Sequence, residues 1–440
     1  MDARWTSPND WRYVSEGGAT IVFSYVGAYD PNFTGMVLRI RKVSRSEISP
    51  EELLKQHENE DEDSQYAAED DDPTVAFQSR IISRLVPSEH LPRLESCRVS
   101  LAFLSKLSLY SQSYRPLERI ARDSIDTRKR RAVLATDLVG AGAGGFAVEI
   151  KPKWAFLPNP KYLSLATKEV KLAYSRFVMH SHYRSLREQS VAEKVPPVTD
   201  YDPLDLFSGD EKRVEMAVEA LWASWVASNG AVNNLRVFLD GKMIKPNDEG
   251  AYQSLSKLLA IDSALSSSEA PRQPFIQALL PLLLRKPLLK ILETLQRTLD
   301  SLDIEGLLIL WDRAHAASNP PPQLGEGEPE PTLFEWESFV DEYLPRTGGG
   351  AVPGLDNLDL LPAVSDLRYH MLAYLMSATF KDCSVILRFP SLEARDLEPC
   401  ITVIDLDPKS VARLHKWAQL DREIAETYSE HVAKQKGSGD

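Results

Sequence analysis

The chain has 440 residues, with 51 Lys and Arg against 64 Asp and Glu and a formal net charge of −13. That length is roughly two to three ordinary domains, and 43% apolar with 26% charged residues is globular composition, so two units with a sizeable core are expected. Taken alone, the acidity argues against nucleic acid, membrane surfaces and polyanionic ligands. Three cysteines, Cys97, Cys383 and Cys400, give no disulfide framework and no paired metal ligands. The opening MDARWTSPND has no apolar signal region. The longest apolar stretch, around Leu279 to Leu284, stops at Arg285 and Lys286, far short of a membrane span. A soluble intracellular protein is expected.

In chain order, residues 20–27 (TIVFSYVG) and 36–43 (MVLRIRKV) are rich in β-branched and aromatic residues. Turn signals at Asp30-Pro31-Asn32 and Gly35 separate them, which predicts consecutive antiparallel strands. Residues 58–72 hold nine acids and no base, and such a run cannot bury enough surface to offset its ordering entropy; it is predicted as a disordered loop. Residues 76–126 show helical spacing (Ile81, Ile82, Leu85; Leu101, Leu104, Leu107) and are read as mainly helical. A strand over 131–138, a glycine-rich turn over 140–145 and a strand over 146–150 follow. Beyond 155 come amphipathic stretches at 163–185 and 210–228, a strand at 235–239, and a Leu-rich stretch at 273–300 interrupted by Pro281 and Pro287. Residues 319–331 (NPPPQLGEGEPEP) predict an extended or disordered acidic linker, and Gly348-Gly349-Gly350 a further break. A helix at 363–379, hairpin strands at 383–389 and 400–404, and a helix over about 408–434 complete the chain. The outline is α+β, with a β-rich N-terminal lobe (1–136) and a larger, mostly helical C-terminal lobe (137–440) carrying a late β-hairpin.

Several short segments hold residues suited to chemistry. Gly17 and Gly18 let backbone N–H groups approach a phosphate, and equally make an ordinary turn. Strand alternation in VLRIRK sends Arg39 and Arg41 opposite Leu38 and Ile40, toward a nucleotide phosphate or toward solvent. In VEIKPKW, Glu149, Lys151 and Lys153 project to one side; two ammonium groups that close call for an anion, unless the segment is an exposed turn. On a helix, Arg176, His180 and Arg184 form one cationic stripe with no acid on it, while His180 and His182 share no face for a zinc pair. YDPLDLFSG reads as a turn and a helix start. Asn233-Asn234-Leu235-Arg236 reads as a helix end entering a strand, and can also place two amides and a guanidinium at a ligand. Asp382 opens one strand of the late hairpin and Asp405 closes the next, so the carboxylates meet at one end. Paired acids there suit phosphoryl transfer, one taking a hydroxyl proton and one holding Mg²⁺. Lys409, Arg413 and Trp417 follow at four-residue intervals as a helical ridge.

The segments EGGATIVFSYVG, VLRIRK, EIKPKW, RFVMHSHYR, YDPLDLFSG, NNLRVF, KDCSVIL and VIDLDPK occur in one order within residues 16–421. On these the chain resembles the inositol-pentakisphosphate 2-kinase family, as a fungal-type member. The resemblance implies a two-lobed inositol-phosphate kinase fold distantly related to protein kinases. It implies transfer of the ATP γ-phosphate to the axial 2-hydroxyl of inositol 1,3,4,5,6-pentakisphosphate, giving inositol hexakisphosphate (phytate). ATP and Mg²⁺ are the implied cofactors, in a monomer of nucleus or cytoplasm with no nucleic-acid or membrane partner.

Residue by residue, the resemblance implies that Gly17, Gly18 and Ala19 cover the phosphates and that Arg39 replaces the usual strand lysine. Thr136 and Asp137 become the adenine hinge, and Glu149, Lys151, Asn234 and Arg236 hold the nucleotide, Lys151 also acting in catalysis. Lys153, Arg176, Arg184, Asn233, Lys409, Arg413 and Trp417, with Arg119 preferred over Arg115 in RPLER, become the inositol-phosphate ligands. Asp382 becomes the catalytic base, Asp405 the principal Mg²⁺ ligand and Asp407 a second. Trp417 departs from the Tyr common in the family, and Ser181-His182-Tyr183 lacks the Cys that accompanies zinc in plant members, so no zinc is expected. Arg128-Lys129-Arg130-Arg131 is a candidate import segment.

The acidity is also unevenly spread. Residues 58–72 contribute −9 and residues 326–337 contribute −5, which leaves the remainder at +1. The bases cluster in the motifs, so a polyanionic ligand is permitted after all. Two other readings stay open: a kinase of this fold acting on another inositol polyphosphate, and a non-catalytic scaffold recruiting partners through its acidic loops.

Overall fold

Alternation along residues 36–44 builds the first sheet: Leu38 and Ile40 are buried while Arg39 and Arg41 stay half-exposed. The computed structural model describes residues 2–3, 6–47, 72–140, 145–189, 199–259, 271–347, 361–390 and 398–437. Over these the chain is mixed α/β with two antiparallel sheets. The first runs β1 (Trp11–Glu16), β2 (Thr20–Tyr25), β3 (Met36–Ser44), β6 (Arg131–Thr136), β4 (Leu94–Arg98), with β5 (Asp123–Ile125) paired to β3. Its core gathers Trp11, Ile21, Phe23, Leu38, Leu104 and Leu134.

The second sheet runs β11 (Cys400–Ile404), β10 (Ser384–Phe389), β7 (Phe146–Ile150), β8 (Leu235–Leu239), β9 (Lys242–Ile244). All five residues of β7 are buried, because helices and neighbouring strands cover both faces. The larger core spans this sheet and the helices after residue 200, and includes Phe77, Ile81, Ile82 and Val86 from the segment after the first acidic run.

Several elements differ from expectation. The stretch 76–126 is mainly helical, with helices Pro73–Arg80, Leu101–Ser111 and Leu117–Arg122 and 3₁₀ turns Ile82–Arg84 and Ser88–His90, but it also holds the strands β4 and β5. β4 is short and becomes a strand by pairing with β6, with Ser96 opposite Val133. The stretch 163–185 splits into helices Lys168–Ala173 and Arg176–Gln189, because Tyr174 is extended. Helix Arg272–Arg285 runs through Pro281, while Pro287 precedes the separate helix Leu288–Leu299. Helices Asp303–Ala314 and Leu333–Arg346 were not anticipated. The last helix starts at Leu414, since the Ser410 hydroxyl accepts from the N–H of Ala412 and caps a 3₁₀ turn instead.

The acidic segments also change. Asp72 is ordered and buried: it caps helix Pro73–Arg80 and accepts two hydrogen bonds at 2.8 Å from Arg41. Residues 319–331 form an irregular but anchored run. Leu324 is buried, the Pro322 carbonyl accepts from the Trp311 indole, and Glu330 accepts from the N–H of Val411. Glu328 and Glu335 pair with Arg368, and Glu337 with Arg80. The candidate import segment is not an exposed basic run, for Arg130 is buried and Arg128 pairs with Asp126. Residues 58–71, the turn at 141–144, the glycines at 348–350 and the hairpin connection at 391–397 lie outside the described residues. Among the described residues no helix is long and apolar enough to cross a membrane.

One buried ion cluster underlies the Gly17-Gly18 turn. Glu16 ends β1 and meets Lys42 at 3.0 Å and Arg115 at 2.9 Å; Asp123 meets the same two at 3.0 and 2.7 Å. All four side chains are at most 7% exposed. Burial raises the Glu16 and Asp123 pKa values, but hydrogen bonds and charge from Arg115 and Lys42 (and Arg122 for Asp123) outweigh it and leave both below the usual range. Their contribution to stability is therefore full above about pH 4 and is lost as pH falls through the lowered native values. Arg115→Met leaves Lys42 as the one buried cation for two buried carboxylates and is expected to cost about 3–5 kcal/mol in urea unfolding at neutral pH. The deficit should shrink below about pH 4, where the carboxylates protonate.

Candidate active site

The antiparallel registers Ile150–Leu235, Ile150–Val385 and Ser384–Ile404 bring four chain segments to one end of the second sheet. Lys151, Asn234, Asp382 and Asp405, all just beyond strand ends, are gathered there. The chain bends sharply at this edge. Lys153 has φ +67° and Asp405 φ +63°, a left-handed conformation that costs a residue other than glycine on the order of 1–3 kcal/mol. Both positions carry charged side chains that the bend turns into the site.

A cavity of about 410 Å³ opens here. Six cationic side chains line it, Lys153, Arg176, Arg184, Lys381, Lys409 and Arg413, against two acids, Asp382 and Asp421. Asn233, Asn234, His180 and Trp417 complete the walls used below. Lys409 precedes the 3₁₀ turn, Arg413 lies in it and Trp417 lies in the last helix, so the three share the cavity without forming one helical ridge. The Asp382 carboxylate lies 3.0 Å from Lys409 and 3.7 Å from Lys153. Burial raises its pKa, but Lys409, Lys153 and Lys151 outweigh that and hold it below the usual carboxylate range. Lys153 is pushed down by burial and by Lys151, with Asp382 opposing.

The arginine stripe has an acid after all. The final helix supplies Asp421, 2.7 Å from Arg176. Asp421 in turn is 2.8 Å from Lys171, which also meets Asp303 at 2.6 Å and Glu305 at 3.0 Å. These three carboxylates have the spacing of a metal site, and the Lys171 ammonium stands among them as the cation. His180, between Arg176 and Arg184, has its pKa pushed down to about 4 by burial and then by Arg176, Arg184 and Lys153. Lys381 is buried beside Asp300 with its ammonium 3.8 Å from the Trp154 ring centroid.

A second cavity of about 260 Å³ has the Gly17–Ala19 turn, Arg39 and Arg41 on one side and Asp72, Thr74, Asp405 and Asp407 on the other. A Cβ at Gly17 or Gly18 would meet nothing within 4 Å, so the turn faces open space. Arg39 has no ion-pair partner among the described residues. Between the cavities stands Lys151, 3.7 Å from Asp405 and 3.9 Å from Glu149. The Ser384 hydroxyl is shared between Glu149 at 2.9 Å and Asp405 at 3.1 Å. Arg236 meets Glu149 at 3.3 Å, and Asn234 donates to the Lys151 carbonyl at 3.2 Å.

Three expected residues lie outside these two cavities. Asp137 is buried, accepting from Ser24 at 2.6 Å and from the N–H groups of Val139 and Gly140. Thr136 pairs with Arg93 through both its N–H and its hydroxyl. Neither lines a cavity described above, and their side chains are committed to the fold. Arg119 sits on the helix Leu117–Arg122 near Tyr13, beside the first sheet and outside both cavities.

The inositol-pentakisphosphate 2-kinase family model matches residues 13–423. The chain belongs to that family. It is 32% identical to an inositol-pentakisphosphate 2-kinase of Cryptococcus neoformans over 95% of this chain and 93% of the relative. A relative of the same name from Arabidopsis thaliana is 27% identical, covering 98% and 96% of the two chains, and one from Danio rerio is 24% identical, covering 96% and 93%. In this family member, sequence reasoning missed Lys171, Lys381, Asp421, Asp72 and Thr74. Lys381 stands next to Asp382 in KDCSVIL and was within reach; the others enter through packing of distant segments.

A dense anion in the larger cavity would reverse the cationic part of the His180 depression. Its pKa should then rise from about 4, and binding should take up protons between there and the usual His value of about 6.5. Calorimetry of inositol hexakisphosphate binding at about pH 5.5 in two buffers of different ionisation enthalpy reads this uptake. Wild type should take up more protons than His180→Gln; equal uptake refutes the assignment.

Proposed function

We propose that this chain transfers the γ-phosphoryl group of ATP to the axial 2-hydroxyl of inositol 1,3,4,5,6-pentakisphosphate, producing inositol hexakisphosphate. The observation that supports this most is the larger cavity, lined by six cations against two acids in a chain whose net charge is −13, with Lys151 3.7 Å from Asp405 of the second cavity. Two polyanions brought together in a partly dry site repel by several kcal/mol unless cations lie between and around them. The relatives named above carry the name of this activity along nearly their whole length.

In this reading residues 1–136 and 137–440 act as the two lobes of a kinase-like fold. The Gly17–Ala19 turn and Arg39 face the nucleotide phosphates. Glu149 and Arg236 brace Lys151, and Asn234 holds its backbone, so that its ammonium sits between the donor and acceptor anions. Lys153, Arg176, Arg184, Lys409 and Arg413 grip the inositol phosphates, with Asn233 and Trp417 forming the wall. The donor set suits Mg²⁺: Asp405 makes its contacts through Oδ2 and Asp407 through Oδ1, so among the described residues each has a second carboxylate oxygen without a partner. Mg²⁺ held by these two residues would neutralise charge on the transferring phosphates.

Asp382 accepts the proton of the attacking hydroxyl. Its lowered pKa keeps it ionised at neutral pH, which makes it a weak base. That suffices when bond formation to the entering oxygen lags behind departure of the leaving group. Its second task is orientation, since a carboxylate fixed by Lys409 and Lys153 points a hydroxyl toward the donor.

Asp382→Asn is expected to lower kcat by about 100-fold to 10,000-fold while ATP affinity changes little. Its KM for inositol pentakisphosphate should stay level or fall, because a negative charge leaves a cationic cavity. Product separation after incubation with Mg²⁺-ATP reads this, and turnover at the wild-type rate would sink the assignment. Lys409→Ala with Arg413→Ala should raise KM for the inositol phosphate by about tenfold or more, well beyond any change for ATP.

A further inference from the structure

Gln296 lies on the helix Leu288–Leu299 and is fully buried. Its side-chain amide touches neither cavity, yet every bond it makes ends on a segment bearing a site residue. Nε2 donates to the Lys153 carbonyl at 3.1 Å and to the Phe380 carbonyl at 3.0 Å. Oε1 accepts from the N–H of Ala155 at 2.8 Å. The partners also fix which way the amide faces, since two carbonyls require the NH₂ and one N–H requires the oxygen.

Each of the three bonds answers a local need. Phe380 is in the last turn of helix Leu367–Lys381, where carbonyls lack a partner within the helix. The chain leaves that helix at Asp382 and enters β10, so no following turn can supply one. Lys153 is held at φ +67°, a conformation that persists in a lysine only when its surroundings over-determine it. The amide brackets that residue, binding its carbonyl and the N–H two residues on. One side chain thus ties the bend that aims Lys153 to the helix end that presents Asp382, whose charged groups meet at 3.7 Å. A buried amide with no water to replace a lost bond makes the tie stiff.

We propose that Gln296 is a positioning residue for phosphoryl transfer, setting the Lys153–Asp382 geometry through these two backbone segments. The inference rests on the kinase reading above. It separates Gln296 from an ordinary core amide by predicting a kinetic effect that stability alone does not produce. Displacing a reacting group by about 1 Å costs on the order of 100-fold in rate.

The test uses the full chain. Wild type is first assayed with Mg²⁺-ATP and inositol pentakisphosphate; no product there refutes the kinase reading itself. Gln296→Met, similar in length but without polar atoms, should then lower kcat about 30-fold to 100-fold with KM for ATP within about twofold. Ser377→Ala is the control. It removes the Ser377 hydroxyl bond to the Gln296 backbone carbonyl, 2.9 Å in the same helix pair, and leaves the amide in place. It should lower the melting temperature but leave kcat within about twofold of wild type. In a Lys153→Met background the Gln296→Met loss should shrink, because one of the two groups being positioned is gone. If Gln296→Met does not fold, Gln296→Glu, which keeps the shape and loses donors, is read in the same cycle. A kcat loss under about twofold, a loss matched by Ser377→Ala, or full additivity with Lys153→Met overturns the proposal.

Discussion

Crowded like charges set the terms for the rest of this structure. Lys153 and Lys409 close on a single carboxylate, Asp382, and Lys151 adds its field to both Asp382 and Lys153. Arg176, Arg184 and Arg413 add three more cations to the same cavity. Side chains that repel do not assemble by themselves; the backbone must hold them. The left-handed bend at Lys153 and the junction of helix and strand at Asp382 do so, at a cost that the surrounding core offsets.

Counter-charges are supplied one at a time. Asp405 faces Lys151, Asp382 faces Lys153 and Lys409, Asp421 faces Arg176, and Asp300 faces Lys381. This is enough to let the empty cavity fold and too little to neutralise it. Six cations against two acids leave an excess that a polyanion can satisfy. His180 stays uncharged near neutral pH first because it is buried and then because Arg176, Arg184 and Lys153 disfavour another positive charge beside them.

Behind this layer lie ion clusters that are largely buried. Lys171 holds Asp303, Glu305 and Asp421 together, and through Asp421 it fixes Arg176. Burial, with Asp421 and Asp300 adding to it, pushes the pKa of Asp303 up to about 7 even though Lys171 opposes them. Glu16, Lys42, Arg115 and Asp123 play the matching part under the glycine turn. Such clusters are weak sources of net stability but severe when broken, so they fix geometry more than they deepen the fold.

Local features were legible from the amino-acid sequence. The alternation in VLRIRK put Leu38 and Ile40 in the core and Arg39 and Arg41 in the cavity beside the glycine turn. The late hairpin brought Asp382 and Asp405 to one sheet end, and the KPK, RFVMHSHYR and DPK segments supplied four of the six cations of one cavity. Each of these follows from spacing along a strand, helix or turn. Tertiary structure decided what spacing cannot encode. It spent Asp137 and Thr136 on internal bonds and left Arg119 beside the first sheet. It also recruited Asp72, Lys171, Gln296 and Asp421, whose partners lie 31 to 250 residues away along the chain. A charge reads the same in sequence whether it meets solvent, a counter-ion or a ligand. Which of the three it meets depends on the partner that folding brings near, and that partner is named nowhere in its own stretch of chain.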